Sequence, residues 1–476
     1  MRTSCLLLLV LVIGIRTGFA ASRPVDSLAA LQTAIGEAAP GDTITLKNGI
    51  YNANTPIVVD RAGTAGNEIT IAAESVGGVE ITGVSGFSVV TPAAHIVISG
   101  FLLTHTSGMT SVGVDTSHVR LTRNTFRCSG DGAYLSVSGD DAQIDHNEFD
   151  TKKATGCMLA ISGAGSQVAR RLWIHHNHFH DFVNDGSNGA EMIRYGLLSA
   201  HGQSTGAGLV EHNLFAACRG VNESISSRSS GNTFRYNTFV DSPTSHLTLR
   251  VGNDCVIYGN FFRNTEGLRI YGKRHQVFSN YFEKNYIGIN LGNGDVAASE
   301  GAPPNSHVRS DDCLIAFNTF VDNRTAYQMG RRSTGALGAT NITFANNLVQ
   351  GSEVAVRIAG PYPGAIWQGN LLWETTNAGD LPADGFSTVN PLLLAGPDGV
   401  RRLPSGSPAI DAAAGAFPAV AFDMDGQGRP EQKSVGADEY STTPFTSWLL
   451  TPADVGPKAP KGARSSAGAL TSAPVG

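Results

Sequence analysis

Two arginines, Arg228 and Arg250, have side chains and a spacing that could do chemistry together, because only 22 residues separate them. A guanidinium group can hold a carboxylate through two parallel hydrogen bonds, which suits an acidic substrate. Glu223 precedes Arg228 by five residues and adds a carboxylate. The ordinary alternative is a solvated arginine and a glutamate in a surface salt bridge. The functional interpretation therefore requires a fold that brings all three residues to one face.

A short phrase that contains an asparagine recurs along the chain and predicts such a fold. Each phrase alternates a polar residue, Asn, a variable residue and an apolar one, as a short strand and its turn would. The asparagines are Asn124, Asn147, Asn177, Asn213, Asn237, Asn260, Asn280, Asn318, Asn347 and Asn370. The gaps between them are 23, 30, 36, 24, 23, 20, 38, 29 and 23 residues. A period in the low twenties with insertions is typical of a solenoid.

The repeat predicts an all-β, right-handed parallel β-helix, with three short strands in each coil and apolar residues stacked inside. The recurring asparagine is expected at a turn, where it tolerates the left-handed conformation and bonds its neighbours. Neighbouring coils rise by about 4.8 Å, so the fold could place Arg228 and Arg250 side by side, whereas their placement on opposite faces would exclude a shared site. The long outer face of such a cylinder suits an extended polymer.

The chain divides into four regions without clean domain breaks. Residues 1–20 have a basic start, an apolar run and a small-residue end, which predicts a signal peptide and a secreted or periplasmic protein with no membrane span after cleavage. Residues 21–45 are predicted to be an N-terminal helical cap, with Asp26 or Ser27 as the N-cap. The β-helix and its irregular closing segment are expected over 46–440. Residues 441–476 form a tail that is predicted to be disordered from about residue 455.

Composition and residue types exclude several kinds of partner and site. The net charge is −6 and there is no broad basic stripe, so nucleic acid is not an expected partner. Five cysteines follow residue 20 without a CxxC pair, which favours buried free thiols. A histidine-rich segment invites a metal interpretation, but its members alternate faces on a strand and coincide with the asparagine phrase, so they are interpreted as turn residues. They are His175, His176, His178 and His180.

Four segments, 188–194, 223–229, 247–250 and 267–272, occur in an order that resembles polysaccharide lyase family 6, the β-helix family of alginate lyases and chondroitinase B. The closing phrases at 423–427, 435–439 and 450–456 also resemble the C-terminal end of that family. The resemblance covers nearly the whole chain after residue 20. It implies an enzyme that cleaves a uronate-containing polysaccharide by β-elimination. Such a reaction needs charge stabilisation for the uronate carboxylate, a base for the C5 proton and an acid for the departing O4.

The resemblance also implies roles for individual residues. Arg228 occupies the position of the family's lysine base, and Arg250 would protonate or stabilise the leaving oxygen. The positions that match substrate contacts are Arg194, Arg269 and His275. The positions that match calcium ligands are Asn188, Glu191 and Glu223.

This sequence departs from the family pattern at two positions. Arginine replaces lysine at Arg228, and a guanidinium group is normally locked in its protonated form, so Arg228 could instead hold the substrate carboxylate. In that case a nearby tyrosine or histidine would be the base, and the candidates are Tyr195, His201, His246 and Tyr271. Val221 replaces a glutamate, which leaves the calcium site incomplete, because calcium prefers 6–8 oxygen ligands.

Several functions are compatible with these observations. The leading hypothesis is an exported lyase acting on alginate or polymannuronate, and the first alternative is a lyase acting on chondroitin or dermatan sulfate. An epimerase would begin with the same proton abstraction. A glycoside hydrolase would need two carboxylates that flank the bond, and no obvious pair is present. A non-catalytic glycan-binding β-helix would not need Glu223, Arg228 and Arg250 on one face of adjacent coils.

Overall fold

The structure is a computed structural model that describes residues 21–106, 109–183, 189–197, 199–219, 222–297, 306–330, 337–359, 362–443 and 448–460. Several predictions lie outside the described residues. They are the signal peptide at 1–20, the calcium position Asn188, the substituted position Val221 and the end of the tail at 461–476.

The described chain forms a right-handed parallel β-helix with three long sheets, which confirms the predicted fold. Sheet 1 contains Ser22–Val25, Thr43–Leu46, Ile69–Ala73, Ala94–Ser99, Ser117–Thr122, Gln143–Asp145, Trp173–His175, Leu209–Glu211, Thr233–Arg235, Val256–Tyr258, Gln276–Phe278, Leu314–Ala316, Thr343–Ala345 and Ile366–Gln368. Sheet 2 contains Ile57–Val59, Phe87–Val89, Thr110–Val112, Leu135–Val137, Leu159–Ile161, Ile193–Tyr195, Glu223–Ser227, His246–Leu249, Leu268–Ile270, Ile287–Gly292, Thr325–Gly330, Val354–Ile358 and Asn377–Gly379. Sheet 3 contains Gly49–Ala53, Val79–Gly83, Phe101–Leu103, Thr125–Phe126, Glu148–Asp150, His178–Phe182, Leu214–Cys218, Thr238–Ser242, Phe261–Thr265, Tyr281–Glu283, Thr319–Val321, Leu348–Gln350, Asn370–Trp373 and Phe386–Thr388.

Smaller elements cover the ends and the insertions. The helix Leu28–Gly36 closes the N-terminal end, and the Ser27 side chain accepts a hydrogen bond from the Ala30 amide at 3.2 Å, as predicted for an N-cap. A 3-10 helix spans Ser199–Gln203. Two antiparallel pairs join Gly163–Ala164 to Gln167–Val168 and Leu394–Ala395 to Arg401–Arg402. Within the described residues, no helix is long and apolar enough to cross a membrane.

A stack of phenylalanines fills the interior because each sheet 3 strand turns the same apolar position inward. Neighbouring rings, such as Phe149 and Phe179, lie parallel with centroids 4.5 Å apart. The stack comprises Phe126, Phe149, Phe179, Phe215, Phe239, Phe262, Phe282 and Phe320. The five cysteines in the described chain are also buried and free, as predicted.

The recurring asparagines form a continuous buried ladder between sheets 1 and 3. The Asn237 backbone and side-chain amides each donate to Oδ1 of Asn260 at 3.0 Å, and Oδ1 of Asn237 accepts equivalent bonds from Asn213. The ladder asparagine was predicted to adopt the left-handed conformation, and this prediction is wrong. The left-handed residue is the one before it, for example His212 or Tyr236, each with φ of +51°. The asparagine itself needs ordinary backbone angles to direct its amide along the ladder.

We expect Asn237→Ala to lower the free energy of unfolding by about 3 kcal/mol, because it leaves buried backbone and amide groups without partners. The lost bonds include the one at 2.9 Å from the Asn237 side chain to the carbonyl of Val210. A urea unfolding curve measures the change. The control is Asn52→Ala, at an exposed strand position, which we expect to change stability by less than about 0.5 kcal/mol. Equal effects of the two substitutions would contradict a stabilising role for the ladder.

The C-terminal segment 448–460 packs on the coils. Val455 and Ala459 are buried, and the Arg123 guanidinium donates to the carbonyls of Pro457 and Ala459 at 2.7 and 2.9 Å. The chain therefore stays packed to residue 460, beyond the predicted start of disorder at about residue 455.

Candidate active site

The outer face of sheet 2 carries a column of polar side chains, one from each of several consecutive coils. The parallel register pairs Arg194 with Ser226, Ser226 with Thr248, and Thr248 with Arg269. The column continues through Asn290 and Gln328. Ser226 and Thr248 are short, so they form a floor between the longer Arg194 and Arg269.

A second column of side chains lies two residues further along the same strands and contains Arg228 and Arg250. Arg228 and Arg250 each follow the last residue of a sheet 2 strand, and Tyr271 holds the same position on the next coil. On each coil the backbone amide at this position donates to a backbone carbonyl of the preceding coil. The pairs are Arg228 to Tyr195 at 2.7 Å, Arg250 to Ser227 at 2.8 Å and Tyr271 to Leu249 at 2.9 Å. Arg228 and Arg250 therefore lie on adjacent coils at the same face, as predicted.

Glycine flanks this second column where Arg228 approaches the preceding coil. Gly196 has φ of +93°, and a Cβ there would lie 2.9 Å from the Arg228 carbonyl oxygen. A larger residue would be strained and would push Arg228 outward. Gly196 thus allows the backbone of Arg228 to lie close to the preceding coil.

Glu223 lies beneath two arginines. Its Oε1 accepts from Nη1 of Arg250 at 3.2 Å and from Nη2 of Arg269. Burial works to raise the pKa of Glu223, but the positive charges of Arg269 and Arg250 hold it below its ordinary value. The strand is irregular between Glu223 and Ile225, which places the carboxylate under the arginines. Glu223 therefore stays ionised and fixes both guanidinium groups.

Glu191 has the equivalent role one coil earlier. Its Oε2 accepts from Nε and Nη2 of Arg194 at 2.9 and 2.7 Å and from the Cys157 thiol at 3.4 Å. Nη2 of Arg228 lies 3.8 Å from Oε1 of Glu191. Arg228 is thus held loosely, while Arg194 is held through two short bonds.

The two arginines of this pair differ in acidity. Burial, together with the nearby charge of Arg250, lowers the pKa of Arg228. Burial also works to lower the pKa of Arg194, but the Glu191 carboxylate, which accepts two hydrogen bonds from it, raises it above its ordinary value. Arg228 is therefore the more easily deprotonated of the two.

Polar atoms in the first column lack partners within the described part of the chain. Oγ1 of Thr248, Nε of Arg269 and Oδ1 of Asn290 are buried and make no hydrogen bond. Buried polar atoms in native proteins are nearly always paired with protein, water or ligand. Three such atoms follow one another on successive coils of the first column.

Of the four alternative bases, Tyr271 stands in the arginine column. Tyr195 is fully buried inside the coil, and the His201 ring accepts from the Leu197 amide at 3.1 Å. His246 lies opposite Glu223 in the register, but burial lowers its pKa to about 4 and its Nδ1 contacts the Asn222 carbonyl at 2.7 Å.

The predicted substrate contact His275 is not on this face. Its Nδ1 accepts from the Cys255 amide at 3.1 Å, and its Nε2 contacts the Tyr271 carbonyl at 2.9 Å. Burial lowers its pKa to about 4, so the ring is neutral. His275 thus joins the backbone at Cys255 to the backbone at Tyr271. Arg194 and Arg269, in contrast, lie in the first column on the outer face of sheet 2, which is called the groove below. Asn290 and Gln328 were not predicted from the sequence, although they lie one and two coils beyond Arg269 in the same register.

The residues described around Glu191 and Glu223 do not fit calcium. Four arginines surround these two glutamates, which leaves two net positive charges where calcium needs several oxygen ligands and a negative site. Guanidinium groups donate to Oε2 of Glu191 and to Oε1 of Glu223, one oxygen of each carboxylate. Asn188 and Val221 lie outside the described residues.

Comparisons with known proteins agree with the β-helical fold. The family model for chondroitinase B matches residues 25–381. A solved arginine-to-alanine mutant of AlyGC, described as a polysaccharide lyase family 6 alginate lyase, is 25% identical with a TM-score of 0.71, covering 81% of this chain and 56% of that one. A mannuronic acid specific lyase of the same family from human gut microbiota is 24% identical with a TM-score of 0.65, covering 77% of this chain and 90% of that one. This chain thus spans about half the length of AlyGC. No curated protein matches the sequence.

Proposed function

The chain belongs to polysaccharide lyase family 6, and we propose that it cleaves a uronate-containing polysaccharide by β-elimination, with alginate and its mannuronate-rich blocks as substrate. The observation that carries the proposal is the column of Arg228, Arg250 and Tyr271 on three adjacent coils, above glutamates that hold the arginines in place. The resemblance found in the sequence is confirmed by the family match over 25–381.

The first requirement of the reaction is to neutralise the uronate carboxylate, because an anionic carboxylate makes the C5 proton weakly acidic. We assign this to Arg194 and Arg269, which rim the floor formed by Ser226 and Thr248. The unpartnered Oγ1 of Thr248 and Nε of Arg269 supply hydrogen bonds there. Both arginines are anchored by glutamates, so they are oriented before the substrate arrives.

The proton transfers then fall to the second column. Arg228, in its neutral guanidine form, takes the C5 proton and becomes a guanidinium, and its loose contact with Glu191 and its lowered pKa support this role. Arg250 gives a proton to O4 as the C4–O4 bond breaks and the C4–C5 double bond forms. Adjacent coils lie about 4.8 Å apart, so the two groups can reach neighbouring atoms of one sugar ring.

The substrate lies along the helix axis in this proposal. Both columns run across successive coils, so consecutive sugars of an extended chain meet consecutive polar residues. Asn290 and Gln328 continue the first column beyond Arg269 and would bind sugars on that side. A polymer with one carboxylate on each sugar, such as polymannuronate, matches an arginine-lined groove.

A second candidate is a lyase that acts on dermatan or chondroitin sulfate, because the matching family model is that of chondroitinase B. We also propose that the protein is secreted or periplasmic, on the basis of the signal-like sequence at 1–20. Export of a reporter fused to these residues tests that proposal.

The test of function is the ultraviolet absorbance of the unsaturated product, measured with polymannuronate, polyguluronate and dermatan sulfate. We expect product from polymannuronate. Product from dermatan sulfate alone would favour the second candidate. No product from any of the three polymers would contradict the lyase proposal.

We expect a chelator to leave the rate of product formation unchanged to within about twofold, because the arginines hold the positive charge that calcium would otherwise supply. The rate is compared before and after exhaustive dialysis against chelator. Loss of activity that calcium restores would contradict this assignment and place a calcium site at Glu191 and Glu223.

A further inference from the structure

Outside the groove, the outer face of sheet 3 brings a glutamate and two histidines together. Glu148 pairs with His178 across adjacent strands, and His180 lies two residues further along the second strand. Phe179, between the two histidines, turns inward to the phenylalanine stack, so both imidazoles face outward. One ligand atom from each of Glu148, His178 and His180 lies within 4.8 Å of the others.

Neighbouring side chains orient two of these three groups. The Thr125 hydroxyl donates to Oε2 of Glu148 at 3.1 Å, and Asp181 contacts Nδ1 of His180 at 2.7 Å. With Nδ1–H donating to Asp181, the lone pair of Nε2 points the other way, to Oε1 of Glu148 at 3.3 Å. A carboxylate that fixes the tautomer of a histidine is the usual support of a metal-binding imidazole.

Two acceptor atoms that face each other at this distance require a cation between them, either a proton or a metal ion. A proton would satisfy His180 and Glu148 alone. The third group, His178, stacks on His180 with ring centroids 4.1 Å apart and adds another ring nitrogen to the cluster. A metal ion, unlike a proton, can bind Glu148, His178 and His180 at the same time.

We propose that Glu148, His178 and His180 bind a divalent transition-metal ion such as Zn²⁺. Two imidazoles and one carboxylate suit borderline-soft ions, for which metal–nitrogen distances of about 2.0–2.1 Å are typical. The strand on the other side presents Leu214 and Ala216 opposite the histidines, and Leu450 and Val455 of the C-terminal segment cover Leu214. That side adds no ligand, and water would supply the remaining ones. The ion joins two adjacent coils.

The positions of these histidines differ in part from the interpretation made from the sequence, which placed all four at turns. His176 belongs to the left-handed turn position and stacks on His146 with centroids 4.9 Å apart, as expected for a structural residue. His178 and His180 belong to the following strand and face outward. The four histidines of this segment therefore do not share one role.

The test is calorimetric titration of Zn²⁺ into the purified, tag-free chain after chelator treatment and dialysis. We expect saturable binding that weakens at least about tenfold in Glu148→Gln and in His178→Gln. The matched control is His118→Gln, in the stacked pair His95–His118, which belongs to none of the three-ligand groups found in the described chain. Binding to this control is expected to equal that of the unmodified chain.

Absence of saturable binding, or equal binding by Glu148→Gln, His178→Gln and the unmodified chain, would overturn the proposal. X-ray absorption at the zinc edge keeps the test independent of the variants. We expect scattering from the imidazole rings of two histidine ligands. A spectrum without imidazole scattering would overturn the proposal.

Discussion

Arg250→Ala is expected to lower kcat for the unsaturated product by about a thousandfold, which corresponds to about 4 kcal/mol of transition-state stabilisation. The substitution removes the group proposed to protonate O4. It leaves Glu223 paired with Arg269, so no buried carboxylate loses all its partners and the fold is retained. Progress curves on polymannuronate measure the loss, and circular dichroism checks the fold.

The control for Arg250→Ala is Arg274→Ala. Arg274 pairs with Asp254 at 2.6 Å on the exposed surface, away from both columns, so its removal is expected to leave kcat within about twofold. Similar losses in the two variants would indicate a general effect of removing an arginine. A value of kcat for Arg250→Ala close to that of the unmodified protein would contradict the assigned role.

Arg228→Lys is expected to retain activity and to shift the rising limb of the rate–pH profile to lower pH. A free lysine has a pKa of about 10.4 and arginine about 12.5 or higher, so more of the lysine is deprotonated at a given pH. Arg228→Ala, which removes the base altogether, is expected to lower kcat by about a thousandfold. The measurement is kcat between neutral and alkaline pH for the three proteins.

The alternative role for Arg228 is to hold the carboxylate, with Tyr271 as the base. In that case Arg228→Lys would raise KM without moving the pH profile, and Tyr271→Phe would abolish turnover. That pair of results would contradict proton abstraction by Arg228. An unchanged pH profile alone already separates the two roles, because only a base imposes its own titration on kcat.

Periodic features of the fold were predictable from the sequence because each coil repeats one pattern. The asparagine spacing indicated the ladder, and the 22-residue separation indicated that Arg228 and Arg250 lie on adjacent coils. The left-handed residue was assigned one position too late, since both it and the ladder asparagine lie at the same turn. Turn propensity alone does not show which of the two residues adopts the left-handed conformation.

Side-chain direction was the part that the sequence did not reveal. The pairing of Glu191 with Arg194, and of Glu223 with Arg250 and Arg269, depends on which way long side chains lean across coils. The inward position of His275 depends on the corner between sheets 2 and 1, where no alternation of polar and apolar residues marks the direction. The calcium assignment rested on residue types, which do not show that Glu191 and Glu223 pair with arginines.

The most direct test of the central claim is the structure of Arg250→Ala bound to a mannuronate tetrasaccharide. We predict that the saccharide lies along the helix axis on sheet 2, with one carboxylate between Arg194 and Arg269 and the C5 hydrogen of that sugar facing Arg228. A saccharide bound to sheet 1 or sheet 3, or bound across sheet 2 with its carboxylates away from these arginines, would contradict the account.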